Sequence, residues 1–422
     1  MLKYDFTSRD PFLSNLEIKR FILRSVRPFF IYDLEKIKEK FEKLRKALPE
    51  NFQIYYSMKA NPNINIVKFL YTLGCGIEIA SGGELKTAVS VGVAPEKIIF
   101  AGPGKSNEEI FQAIKYGIKS INVESLNELF RVNKIAGDLD RVQNVNIRIN
   151  PQFKIRNSIL QMGGDAQKFG VDVERLRELK EFLFDLKNVN LVGVHVFVAT
   201  QILDRSLIVE NFAHAVETAK MVASILKKDM VYIDVGLGLG IPYNENEHEI
   251  EVRELREELE RATDKAGLKK DVSVLVETGR FLVGESGYYV TNVIDKKISR
   301  DKVFVICNGG INHLLRTALI NTVHPMVVMQ RNVRKSFERV TIGGPLCTSL
   351  DFFARDVNLP TIEIGDYIVI KNSGAYGYSE SMPYFLSHDF ADEYLYLKDK
   401  GVVLVRKGRN VEDIISEQIL IL

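Results

Sequence analysis

The chain has 422 residues, 46% hydrophobic and 27% charged, which exceeds one ordinary domain and has the balance of a folded globular protein. Its formal net charge is only +2 and no long basic run occurs, so nothing asks for nucleic acid or an anionic membrane surface. Cys75, Cys307 and Cys347 are too few and too scattered for a disulfide framework or a zinc site; neither the opening MLKYDFTSRDPFL nor any later span reads as a signal or membrane segment. The expectation is a cytoplasmic protein of two domains with no bound metal.

In chain order, RPFFIYD is strand-like and is expected to pair with the C-terminal part, since chain ends often lie close together. From residue 54 onward, short β-rich runs alternate with helix-like stretches. The runs are IYYSM (54–58), GIEIA (76–80), KIIFA (97–101), SINVE (120–124), VNIRI (145–149), VGVHVFV (192–198), VYIDVG (231–236) and VSVLVE (272–277). Between them GGELKTAVSVG, NEEIFQAIKYG and VERLRELKEFLFDLK place apolar residues at three- and four-residue spacing. This α/β alternation predicts a closed parallel (β/α)8 TIM-like barrel over residues 34–284, with a doubly wound open sheet as the competing arrangement. Beyond residue 285, KVFVICNGG, ERVTIGGP, DYIVIKNSGAYGYS, EYLYL and GVVLVRKG are short strands divided by Gly and Asn turns. They predict a mainly antiparallel β-sandwich or barrel domain made of residues 1–33 and 285–422.

In such barrels the reacting groups gather where the strands end. That rim would carry Lys59, Glu78, Ser81, Gly102, Gly104, Glu124, Arg148, Asn150, His195, Thr200, Asp234, Gly236, Glu277 and Arg280. Singly, each is a polar loop residue; together they converge on one face. A lysine closing an apolar run is unusual, because charged ends normally sit in water. A desolvated ammonium gives up its proton readily, and the neutral amine can form a Schiff base with an aldehyde. Pyridoxal phosphate would also need a phosphate cradle, an acid facing the pyridine nitrogen and a stacking surface. DVGLGLGIPY (234–243) could present backbone N–H groups to an anion, although a plain tight turn reads equally well. Spacing rejects two rivals. Ile241 stands where a dinucleotide fingerprint needs its last glycine, and Ile99 where a Walker loop at AGPGKS (101–106) needs its first. In VETGR, Glu277 could keep a pyridine nitrogen protonated and Arg280 could grip phosphate or carboxylate, the alternative being an ion pair at a helix start.

YYSMKANPN, GIEIASGGEL, DVGLGLGIPY, ETGRFLVGESG, GGINHLLRTAL, GGPLCTSLDFFARD and NSGAYGYS occur in order across nearly the whole chain. Together they resemble the fold-type III pyridoxal-phosphate decarboxylases, which include ornithine and diaminopimelate decarboxylases. The resemblance implies an alanine-racemase-like barrel plus β domain, working as a homodimer with active sites shared between subunits. It implies that Lys59 carries pyridoxal 5'-phosphate and that Glu277 faces the ring nitrogen. Phosphate would lie on Gly236, Gly238 and the Gly279–Arg280 turn, with Thr200 and Tyr376 as hydroxyl donors. Glu78 and Arg148 would lie beside the cofactor. Cys347, which by itself reads as a small buried apolar residue, would act from the partner subunit as proton donor.

Three departures from the family pattern stand out. Phe197 replaces the histidine that many members stack on the ring, with Ala199 and Thr200 for the following glycine and serine. Leu237 replaces the middle glycine of the phosphate turn, and Thr348 follows the trans cysteine where ornithine and diaminopimelate enzymes carry an acid. An unpaired ammonium in a closed site is expensive, so Thr348 disfavours a simple diamino acid. GPLCTSLD and SGAYGYSESMPYFLSHD are most similar to a branch of secondary metabolism. It includes the butirosin glutamyl carrier-protein decarboxylase, exosortase-associated decarboxylases and the citryl-diaminopropionate decarboxylase of siderophore synthesis. The implied substrate is acylated, bulky or anionic at its far end, free or tethered to a carrier protein, with Thr348, Arg316 and His388 around it. A diaminopimelate decarboxylase of lysine biosynthesis is the runner-up and would need a distal acid from elsewhere, for instance Glu380. A cofactor-free pseudoenzyme or binding partner, motivated by Phe197 and Leu237, is the reading from a different class.

Overall fold

The computed structural model describes residues 10–153, 160–161, 166–176, 178, 180, 186–244, 246–269 and 271–421. The chain divides into a barrel unit, Lys38–Ile241 with Glu249–Leu282, and a β unit, Met1–Ile37 with Pro242–His248 and Val283–Leu422. No described helix is long and apolar enough to cross a membrane.

After β1 (Phe29–Asp33) of the β unit come the barrel strands β2 (Phe52–Ser57), β3 (Gly76–Ile79), β4 (Ile98–Phe100), β5 (Ser120–Val123), β6 (Gln143–Asn150), β7 (Val189–Val196), β8 (Tyr232–Gly236) and β9 (Ser273–Thr278). Each pairs in parallel with the next, and β9 pairs with β2, so the sheet closes and the open-sheet alternative is excluded. Strands covered on both faces read as near-continuous apolar runs, which is why these eight stood out. Tyr55, Ile99, Val192, Tyr232 and Leu275 form one apolar cluster. Asp234 and Glu277 lie two residues beyond Tyr232 and Leu275 and therefore on the same sheet face. Along β8 and β9 that face changes from apolar to acidic toward the strand ends.

Three successive turns from strand to helix use one device. Ser81, Ser106 and Ser125 accept the N–H groups of Glu84, Glu109 and Glu128, three residues on. Those glutamates fold back to accept from the N–H groups of Ala80, Ser106 and Glu124. Orphan donors at both sides of each helix start are thereby satisfied. The helix read over VERLRELKEFLFDLK lies largely outside the described residues.

The β unit contains β10 (Gly287–Ser299), β11 (Lys302–Cys307), β12 (Met326–Met329), β13 (Phe337–Gly343), β14 (Phe352–Pro360), β15 (Tyr367–Ile370), β16 (Asp392–Leu397) and β17 (Gly401–Arg406). The strand β1 lies between β10, antiparallel, and β16, parallel. Antiparallel pairing also joins β10 to β11 and β15, β15 to β12, β13 to β14 and β16 to β17. Because β11 pairs with β13 in parallel, the sheet is mixed, although mainly antiparallel. Phe12, Ile18 and Ile22 pack with Phe29, Ile31, Tyr288 and Val369 to form its core. Pro242–His248 groups with this unit, where Asn372 Nδ2 donates to the Pro242 carbonyl at 2.7 Å.

Candidate active site

Lys59 sits on the short 3-10 turn Met58–Ala60 that follows β2. Tyr56 donates its hydroxyl to the Asn61 carbonyl at 2.8 Å, and Asn61 Oδ1 accepts the Asn63 N–H at 3.0 Å, which fixes the turn of KANPN. Lys59 Nζ donates to Glu78 Oε1, 3.3 Å away at the end of β3, and lies 5.4 Å from the centre of the Phe197 ring. The side chain is 40% exposed. The desolvated ammonium expected from the sequence is thus corrected: the turn lifts Lys59 out of the core, and a carboxylate with an aromatic face holds it.

Arg148, on β6, donates from Nη1 to Glu124 Oε1 at 2.8 Å. Its guanidinium stands 4.6 Å from the ring centre of Phe169 and 6.0 Å from that of Phe197. Glu124 also accepts the N–H groups of Gly102 at 3.1 Å and Gly170 at 2.9 Å, tying neighbouring loops to the arginine. Phe169 carried no sequence signal, because only the fold brings it over Arg148.

Glu277 ends β9 and is buried; its Oε2 lies 3.3 Å from His195 Nε2. Burial pushes its carboxyl up, but the positive charges of His195, Lys59 and Arg148 outweigh that and hold it below the ordinary carboxylate range. Asp234 behaves oppositely. Burial and the Glu277 charge push it well above that range, while Asn122 Nδ2 donates to its Oδ2 at 2.7 Å. The surroundings therefore favour the negative charge on Glu277 and disfavour it on Asp234. Glu78 is also raised, by burial, against the pull of Lys59.

The strand end of β8 and the stretch Ala199–Ile202 run against each other as a closely packed, largely buried turn. A Cβ on Gly236 would collide with the Phe197 ring, so only glycine lets that ring lie against the strand end. Gly238 adopts φ +73°, the left-handed region. Leu237 stays outside that region and buries its side chain completely, which explains how leucine is accommodated between the glycines. Ile202 N–H donates to the Gly238 carbonyl at 2.8 Å, and Gly240 N–H donates to the Ile202 carbonyl at 2.9 Å. Gln201, at φ +61°, exchanges hydrogen bonds with the Ile241 backbone and was not flagged by the sequence. Thr200 belongs to the same stretch. A Cβ on Gly279 would stand 2.7 Å from Ala60 Cβ, so the turn into the buried Arg280 runs against the Lys59 turn.

Other rim candidates do structural work. Ser81 caps its helix, and Asn150 Nδ2 donates to Asp172 Oδ1 at 2.9 Å. Lys105 of AGPGKS turns inward and donates to the Gly102 carbonyl at 2.6 Å, the Asn122 carbonyl at 2.8 Å and Glu128 Oε1 at 2.6 Å.

In the β unit, Cys347 is exposed, which corrects its reading as a buried apolar residue. Its loop is clamped by Asp351, whose two oxygens accept the N–H groups of Ile311 at 2.8 Å and Leu346 at 2.7 Å. Next to it, Thr348 Oγ1 accepts the Leu350 N–H at 3.3 Å. Arg316 is buried and donates from Nη1 to Glu380 Oε2 at 2.9 Å, its guanidinium 4.9 Å from the ring centre of Tyr376. Tyr376 itself has φ +57°. His388 follows a turn in which Leu386 and Ser387 take positive φ; among the described residues it makes no hydrogen bond to Arg316 or Thr348.

Residues 34–284 match the family described as pyridoxal-dependent decarboxylase, pyridoxal binding domain. The chain is 33% identical over 416 residues to the L-glutamyl-[BtrI acyl-carrier protein] decarboxylase of Niallia circulans, covering 96% of this chain and 97% of that protein. It is 33% identical over 376 residues to the 2-[(L-alanin-3-ylcarbamoyl)methyl]-2-hydroxybutanedioate decarboxylase of Staphylococcus aureus, covering 87% and 93%. The crystal structure of Helicobacter pylori diaminopimelate decarboxylase complexed with L-lysine superposes with a TM-score of 0.86 at 32% identity, covering 94% of this chain and 98% of that one.

Proposed function

Because this chain belongs to the fold-type III pyridoxal-phosphate-dependent decarboxylases, we propose that it removes the α-carboxylate of an amino acid whose far end is acylated or tethered to a carrier protein, releasing an amine and carbon dioxide. The residues present fit the cofactor. Glu277 Oε1 is buried with no hydrogen-bond partner among the described residues, an acceptor suited to a protonated ring nitrogen. Gly236 and Gly238 bring backbone bare of side chains to the strand end of β8, and Phe197 offers a stacking face beside an accessible Lys59 amine.

Bound there, pyridoxal phosphate supplies an electron-withdrawing ring that takes up the electron pair left when carbon dioxide departs. Lys59 would hold its aldehyde carbon, and Glu277 would keep the ring nitrogen protonated. Phe197 would offer its ring face to the cofactor without exchanging a proton. Gly236, Gly238 and the Gly279–Arg280 turn, with Thr200 and Tyr376, would hold the phosphate. Glu78 and Arg148 would set the charges beside the ring. Cys347 of the partner subunit would return a proton to the α-carbon, with Thr348, Arg316 and His388 about the substrate's far end. Phe197 and Leu237, which motivated the pseudoenzyme reading, are both accommodated by the local geometry.

The observation that carries the substrate reading is the Arg316–Glu380 ion pair at 2.9 Å. Glu380 was the acid a diaminopimelate enzyme would need for the distal ammonium, and its carboxylate is already taken up by Arg316. Thr348 offers only a hydroxyl, so a remote ammonium would lack a counter-charge. Similarity to relatives named for a carrier-bound glutamyl and for a carbamoyl-linked substrate supports the same reading. It brings with it a cytoplasmic homodimer in secondary metabolism of siderophore or antibiotic type. Carbon dioxide release from the purified enzyme tests it. Carrier-tethered glutamate or an acylated diaminopropionate is expected to exceed free diaminopimelate in kcat/KM by at least about 100-fold. Free diaminopimelate as the best substrate would assign the protein to lysine biosynthesis instead.

Gly236→Ala probes the cradle without touching a reacting group. The added methyl displaces Phe197, an overpacking of about 1–3 kcal/mol. Titration with pyridoxal phosphate is expected to show affinity weakened by about tenfold or more.

A further inference from the structure

His195 has no part in the steps above, yet it is 1% exposed and neither ring nitrogen closes a hydrogen bond among the described residues. Buried polar groups are nearly always paired, so an imidazole left in this state calls for a function. Its surroundings supply one. The strands β7, β8 and β9 are neighbours, with His195 opposite Asp234 and Gly236 opposite Glu277. The ligating atoms of His195, Asp234 and Glu277 all lie within 4.8 Å of one another. On the far side Asn146 Nδ2 donates to Asn122 Oδ1 at 2.6 Å, and Asn122 Nδ2 donates in turn to Asp234 Oδ2. One oxygen of Asp234 is thus fixed from behind, while its Oδ1 is buried without a partner among the described residues.

The titratable and charged groups acting on Glu277 are Lys59 after β2, Arg148 on β6 and His195 on β7; Asp234 on β8 and Glu78 on β3 are in turn influenced by it. Lys59 and Arg148 have Glu78 and Glu124 as hydrogen-bonded partners. We propose that His195 and Asp234 are positioning residues that keep Glu277 anionic and aim its open oxygen at the cofactor's ring nitrogen. In this arrangement Asp234 is the neutral member of the carboxyl pair and His195 backs the charged one. The same trio has the donors of a divalent-cation site, but the positive charges of Lys59 and Arg148 acting on Glu277 oppose a cation there. The inference rests on the reading that Glu277 faces the ring nitrogen.

A ring-nitrogen comparison tests it without relying on turnover. The full chain and its His195→Leu, His195→Gln, Asp234→Asn and Glu277→Gln variants are reconstituted with pyridoxal phosphate or with its 1-deaza analogue, in which CH replaces that nitrogen. The wild type is expected to prefer the natural cofactor by about tenfold or more, the scale of one charged hydrogen bond. His195→Leu should lose most of that preference and His195→Gln part of it, whereas Asp234→Asn, a neutral isostere, should retain it. Taking a ratio cancels any general loss of affinity, and His195→Gln keeps the comparison decisive if the leucine variant does not fold. A wild-type ratio in both His195 variants overturns the positioning role. An unchanged ratio in Glu277→Gln instead rejects the assignment of Glu277 itself.

Discussion

Lys59→Ala is expected to lower turnover by more than about 10⁴-fold while leaving the fold nearly as stable as the wild type. The loss follows from removing the amine that would hold the cofactor's aldehyde; no other lysine is described beside Glu78 and Phe197. The small structural effect follows from the surroundings. The side chain is 40% exposed, so its pair with Glu78 stabilises by about 1 kcal/mol at most. Glu78 is not stranded as a bare charge either. Its carboxyl is already pushed up by burial, and losing Lys59 shifts it further toward the neutral form. Circular dichroism and a thermal melt report the fold, and product formation reports turnover. Borohydride treatment of the wild type followed by peptide mass mapping should find the cofactor's added mass on Lys59. That mass on another lysine, or a variant with ordinary turnover, would remove Lys59 from its role.

Much of the barrel was legible because burial on both faces writes its strands as apolar runs. The β unit was harder. The long strand β10 is buried over its first five residues but exposed at Asp295 and over Lys297–Ser299, so its far half reads as loop. In β14 Arg355 is exposed and Asp356 is exposed with φ +59°, a bulge that breaks the alternation. The four residues of β12 are too few to show a period. At the site, the residue types at the strand ends were readable, and their encounters were not. The pairing of Arg316 with Glu380, 64 residues on, and the ring of Phe169 over Arg148 exist only once the chain has folded. Lys59 shows the opposite error: an apolar run before a charge suggested burial, whereas the short 3-10 turn carries the side chain outward.

Lys105→Met is expected to destabilise the protein by about 3–5 kcal/mol, the range for breaking a buried ion pair from one side. Lys105 is 3% exposed and Glu128 2%. Burial pushes the lysine down and Glu128 opposes that shift, so Lys105 depends on Glu128 to remain charged inside the protein. Methionine fills the stem's volume but returns none of the three hydrogen bonds, and Glu128 keeps only the Glu124 N–H at 3.1 Å. A fall of roughly 10 °C in the midpoint of thermal unfolding should follow. Lys105→Met combined with Glu128→Leu should recover part of it, because replacing both ions leaves no charge buried alone. Equal losses in the single and double variants would mean that the stranded carboxylate is not the cause. The same strut bears on the site. Lys105 holds the backbone of Asn122, whose side chain holds Asp234, and Glu128 holds the backbone of Glu124, whose carboxylate holds Arg148. Weaker pyridoxal phosphate binding in the folded Lys105→Met protein is therefore expected alongside the lower midpoint, although Lys105 itself faces none of the reacting groups.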